Sequence, residues 1–188
     1  MYQNVLNIFS REAFRVWLAA NGATEKECYV CAKRGRPTEE KILWYVDAVE
    51  EALCFGWIDS TVRNIDGKVM QRFSPRQPKS NWTELNKERV RRLEKMGLMT
   101  DAGRAVAPSL DEVFTIDKEV ELELRKAGVW GIFQSFPPLY QRVRSSNLVF
   151  YRRHSSEIYE TMLQNVIEAA KQGKTHGEWS DYGRLLDY

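Results

Sequence analysis

The chain has 188 residues, 43% of them hydrophobic, and a formal net charge of +2. That is long enough to bury a core without disulfide or metal staples and too apolar for a disordered chain. The small net charge gives no argument for a nucleic-acid or membrane partner, and no run reaches the roughly eighteen apolar residues that span a bilayer. Three cysteines, an odd number, fit free thiols in a reducing compartment better than a disulfide framework. Ser10, Arg11 and Glu12 interrupt the N-terminal apolar stretch, so it does not read as a signal peptide. The expectation is one cytoplasmic domain over residues 1–188.

In chain order, Ser10 caps a first helix with Phe14, Trp17 and Leu18 on one face and Asn21-Gly22 at its end. Residues 28–33 read as a short strand. A second helix is expected from a Thr38 cap, because Ile42, Tyr45, Val46, Val49 and Leu53 recur at three- and four-residue steps before Gly56. Asp66-Gly67 then signals a hairpin whose two central residues tolerate positive φ. Pairing Ile65 with Lys68 sets a register that runs back to Thr61 opposite Arg72 and Asp59 opposite Ser74. Alternation then puts Ile58, Val62, Val69 and Phe73 on a core face. Trp57, Asp59, Arg63, Arg72 and Ser74 fall on a polar one.

Ser80 or Asn81, with Glu84, is expected to cap a third helix whose buried side holds Leu85, Val90, Leu93 and Met96. Short pieces follow around Pro108, then a helix from Asp117 to about Ala127. Two more run over about 139–152 and 156–172, and the aromatic tail packs back. The fold class is α+β: predominantly helical, with a small, mainly antiparallel, three-stranded sheet.

Metal chemistry is set aside first. Cys28 and Cys31 on a strand point to opposite faces, whereas zinc needs converging ligands, and His154 and His176 stand alone. No cofactor-binding glycine motif or catalytic triad can be assembled. Cys54 lies in a helix's last turn, where the dipole disfavours a thiolate, so a packed thiol is the simpler reading. The strongest signal is basic: eight bases and three acids stand between Arg72 and Lys95. Part of this is a solvated helix face with pairs such as Glu88 to Arg92. Arg76, Lys79 and Ser80, however, fall in a loop before a helix start, next to Trp82, which describes a phosphate or carboxylate subsite. Asn86 shares the side of Trp82. The simpler alternative is a well-capped loop, with Asp59 paired to Arg72 across the hairpin.

VEEALCFGWIDS (49–60), QRFSPRQPKSNWTELN (71–86) and VRRLEKMGLMT (90–100) resemble the bacterial YdeI/OmpD-associated family, the OmdA-like bacteriocin-protection proteins. The resemblance covers about 40–105. Gln77 stands where that family commonly has Lys and Thr83 where it has Ser, and the helical part over 111–188 departs further. The resemblance implies a stress- or antimicrobial-protection role and supplies no catalytic residues. Mapped onto this sequence, a shared ligand site would comprise Trp57, Asp59, Arg72, Arg76, Lys79, Ser80, Trp82 and Asn86.

The leading expectation is therefore a protein that binds a small anionic or phosphorylated ligand, with no cofactor or metal. The alternatives are an enzyme acting on a nucleotide-like substrate, with Asp59 as general base or Cys54 as nucleophile, or a binding module for a protein partner. Nucleic-acid binding through 72–95 is disfavoured by the acidic 111–123 segment.

Overall fold

A computed structural model describes residues 3–77 and 80–188. The chain forms two compact units. One comprises the residues up to Asn81 together with Arg89–Pro108 and Tyr188; the other comprises Trp82–Glu88 and Ser109–Asp187.

The first unit is the α+β part. Its sheet has four strands in the order β1-β2-β4-β3: β1 Val5–Leu6, β2 Cys28–Val30, β3 Trp57–Ile65 and β4 Lys68–Pro75. It is mixed, because β1 runs parallel to β2. This corrects the three-stranded expectation; a two-residue strand is too short to show any alternation. Helix α1 (Arg11–Asn21) begins at Ser10, whose hydroxyl accepts the Ala13 N–H. It lays Phe14 against Phe73 (5.3 Å between ring centroids) and Trp17 edge-on to Trp57 (5.8 Å).

Helix α2 (Tyr45–Cys54) starts seven residues after the expected cap. The Thr38 hydroxyl instead accepts the Glu40 N–H in a local turn. The backbone before α2 is taken by a bridge: Lys33 N–H donates to the Leu43 carbonyl, and Tyr45 N–H donates to the Lys33 carbonyl, both at 2.9 Å. With Leu43 and Trp44 buried there, tertiary pairing outweighs a helical periodicity that propensity alone supports only weakly.

The hairpin turns at Asp66-Gly67 with φ of 50° and 77°, as a type I′ turn requires. The expected register holds from Ile65↔Lys68 to Val62↔Gln71 and then slips through a bulge, so that Asp59 faces Phe73 and Ile58 faces Ser74. An extra residue on one strand exchanges the faces beyond it. Trp57 and Asp59 therefore join Phe73 on the side of the helices. Ser60 joins Arg72 on the opposite side. Val62 and Val69, expected in the core, are 45% and 66% exposed.

Helix α3 (Glu84–Lys95) is capped by Thr83, whose hydroxyl accepts the Asn86 N–H, rather than by Ser80 or Asn81. Val90 and Leu93 are buried, but Met96 is half exposed. Arg92 pairs with Glu50 of α2 at 2.7 Å, and Glu88 with Arg142, so the expected Glu88–Arg92 pair does not form. Helix α4 (Asp101–Val106) completes the unit, with Thr100 as its cap.

The second unit is helical: α5 Lys118–Lys126, α6 Trp130–Ser135, α7 Pro138–His154 and α8 Ser156–Lys171. Val120, Leu124, Phe133, Tyr140, Leu148 and Val166 form its core. The tail packs through Trp179 on Tyr140 (5.5 Å) and Leu185 against Leu139 and Val143. Among the described residues, no helix is long and apolar enough to cross a membrane.

Candidate functional site

The bulge in β3 decides where the chemistry sits. With Asp59 turned to the helical side, its carboxylate accepts a hydrogen bond from the Tyr45 hydroxyl at 2.7 Å. Burial, reinforced by the Asp59 charge and hydrogen bond, pushes the Tyr45 phenol up to about 12, while the positive charges of Arg89 and Arg34 act the other way. The Arg34 guanidinium lies 4.1 Å from the Tyr45 ring centroid and donates to Gln71 Oε1 at 3.0 Å. Gln71 is itself buried and donates through Nε2 to the carbonyls of Ser60, Thr61 and Arg72. Around the bulge, one side chain thus serves backbone that the sheet ladder leaves over.

Arg76 leaves β4 with its N–H bonded to the Gly56 carbonyl at 2.9 Å. Its side chain is buried, and Nη1 donates to Ser80 Oγ (3.1 Å) and to the Asn81 carbonyl (3.4 Å). Burial pushes Arg76 down to about 10, outweighing the attraction of Asp59. Arg11 in the same unit behaves in the opposite way. Burial acts to lower it as well, yet Glu50 and Glu51 hold it above its ordinary value.

Of the eight expected site residues, the first unit brings Asp59, Arg76 and Ser80 together. Arg72 lies on the other sheet face, pairing with Glu27 at 2.7 Å and donating to Ser60 and Ser74. The expected Asp59–Arg72 pair is absent, because the bulge puts the two side chains on opposite faces. Trp57 is core, 1% exposed, with Nε1 bonded to the Gly22 carbonyl at 3.0 Å, and has no face to offer a ligand. Trp82 and Asn86 belong to the second unit. There the start of α3 already holds buried Glu84 and Glu88, paired with Lys87 and Arg142. Lys79 lies outside the described residues.

Sequence reasoning missed Arg34, Tyr45, Gln71 and Arg89. Tyr45 read as one more apolar position of a longer helix, and Arg89 as part of a solvated face. No local pattern announces Arg34, which reaches Tyr45 only once Lys33 has paired beside Trp44.

Cys54 is fully buried, and burial, then the Glu51 charge, pushes its thiol up to about 11; burial likewise pushes Cys28 up to about 12. Both remain protonated at neutral pH, and protonated thiols are poor nucleophiles. Cys31 is exposed. A maleimide at about pH 8 is expected to label Cys31 quickly and to reach Cys28 and Cys54 only on unfolding, as read by mass spectrometry of digested protein. Fast labelling of Cys54 in the folded chain would restore it as a nucleophile. Among the described residues, no three His, Cys, Asp or Glu side chains converge as metal ligands would.

No curated protein and no solved structure matches the chain. Residues 6–106 match a family described as a domain of unknown function, DUF8412, a span that contains the Tyr45–Asp59–Arg76 cluster. With more than half of the chain covered by that match, this protein belongs to the DUF8412 family.

Proposed function

We propose that the first unit binds a small anionic or phosphorylated ligand through Arg34, Arg76 and Arg89, with the Tyr45 hydroxyl held in place by Asp59. The observation that supports this reading most directly is the gathering of three guanidinium groups about one Tyr–Asp pair. Guanidinium is the side chain best suited to forked recognition of phosphate or carboxylate. The stress-protection role that the YdeI/OmpD-associated resemblance implies, and cytoplasmic residence, belong to the same proposal. An enzymatic reading is less favoured, because the Cys54 thiol is buried and protonated.

The test is a thermal-shift titration with inorganic phosphate, nucleoside monophosphates and small dicarboxylates, run on the wild type, Arg76→Ala and Arg34→Ala. A ligand at one hundred times its dissociation constant is expected to stabilise the protein by about 2.7 kcal/mol. Both variants are expected to lose that gain. Arg34→Ala keeps the test decisive should Arg76→Ala fold poorly. No stabilisation of the wild type by any of these anions at millimolar concentration would reject the reading.

A further inference from the structure

The helical side of the sheet is only half covered. Helix α1 closes over Phe73 and Trp57, but β2 pairs with β4 only across Gln71–Phe73, so Lys68–Met70 run on past its end. Beyond that end lies a cavity of about 610 Å³. Its apolar wall includes Phe9, Ile42, Leu43, Val62 and Val69. Phe9, Val62 and Val69 are 57%, 45% and 66% exposed, a concentration of apolar surface that water does not favour. The volume falls within the ordinary range of small-molecule sites, about 300–1,000 Å³.

The charged residues of the lining are all cationic: Lys33, Arg34 and Lys68. The Lys33 ammonium pairs with Glu40 at 2.9 Å, but both side chains are more than half exposed, so the pair is weak and exchangeable. Arg34 is held in the wall by Gln71 and by stacking on Tyr45. Lys68 makes no ion pair among the described residues. An apolar trough whose lining holds three cations and no carboxylate, with Glu40 reaching only Lys33 from outside it, suits a molecule with a long hydrocarbon part and one negative end. We infer that this cavity binds a single-chain aliphatic carboxylate of the fatty-acid class, its chain against Phe9, Val62 and Val69 and its head beside Lys33, Arg34 and Lys68.

The probe is dodecanoate below its micellar concentration, titrated calorimetrically, with dodecyltrimethylammonium as the cationic counterpart. Saturable one-to-one binding of dodecanoate is expected, and much weaker binding of the ammonium compound. Val69→Glu, an exposed position that should leave the melting temperature unchanged, is expected to abolish uptake. Lys68→Glu is expected to weaken it by about fivefold to tenfold, as losing one exposed ion pair and gaining a repulsion implies. Arg34 belongs to both readings, so Arg76→Ala is the variant that tells them apart: it should leave dodecanoate binding intact. Equal affinity for the ammonium compound, or a Val69→Glu protein that still binds dodecanoate, would overturn the inference. So would protein that sediments with phosphatidylglycerol vesicles yet takes up no free dodecanoate, which makes the patch a membrane-facing surface. A dimer by light scattering that Val69→Glu dissociates, again without dodecanoate uptake, would overturn it in favour of a self-interface.

Discussion

Glu50→Ala is expected to lower the unfolding free energy by about 3–5 kcal/mol, a large share of what a domain of this size has. Every residue of α2 from Val46 to Cys54 is buried, and that includes Asp47, Glu50 and Glu51. Glu50 has no exposed surface; one of its oxygens pairs with Arg11 at 2.6 Å and the other with Arg92 at 2.7 Å. Glu51 pairs with Arg11 and Arg15. One helix face is thus an acidic ridge, buried only because three arginines from α1 and α3 meet it. Removing Glu50 leaves two guanidinium groups largely desolvated beside a cavity. The net worth of such a network over an apolar replacement is small, but breaking one member of it is costly. Urea denaturation of Glu50→Ala, Arg92→Ala and the double variant measures this. The double variant is expected to lose less than the sum of the two single losses, because Arg92 has a weaker reason to be where it is once Glu50 is gone. A loss below about 1 kcal/mol in Glu50→Ala would mean that the ridge is solvated and the network ornamental.

Gly103→Ala is the second large effect, expected near 3 kcal/mol, the upper end for overpacking. A methyl group there would stand 2.3 Å from the Cys54 carbonyl oxygen and 2.8 Å from that of Leu53. Both are backbone atoms, which cannot swing aside as a side chain can. The closeness is imposed by Thr100, whose hydroxyl donates to the Cys54 carbonyl at 2.6 Å while its N–H donates to the same oxygen at 3.1 Å. The start of α4 thereby caps the last carbonyl of α2, that of Cys54. Gly131→Ala provides the contrast, since a methyl group there meets nothing within 4 Å. It lies in a helix, where alanine is the better residue, so a neutral or stabilising result is expected. Thermal melts of the two variants should differ in sign. A Gly103→Ala protein as stable as the wild type would mean that α4 is free to slide along α2.

Much of this architecture was open to local reading. Helix α1 follows from the Ser10 cap and the Phe14/Leu18 spacing, and the hairpin turn from Asp66-Gly67, because caps and tight turns are settled by side chains and φ preferences a few residues apart. Helices α5, α7 and α8 were legible as segments from their local patterns, whereas α6 was not. The cap of α3 was misplaced only because Ser80, Asn81 and Thr83 are all chemically able to serve; which of them does so depends on where the chain enters the helix.

The candidate site was legible as a neighbourhood and misread as a geometry. Composition and local pattern determined that a basic loop follows a hairpin, that Arg76 and Ser80 stand together in it, and that Asp59 lies on the facing strand. Only the tertiary structure decided that a bulge turns Asp59 from Arg72 to Tyr45, that Trp57 is core, and that Arg34 and Arg89 join the cluster. The physical reason is the two-residue period of a strand: a single extra residue reverses every side chain beyond it, and nothing local to Asp59 announces where that residue is accommodated. The acidic ridge of α2 shows the same division. Its carboxylates are plain in the sequence, but their burial depends on arginines about forty residues away on either side.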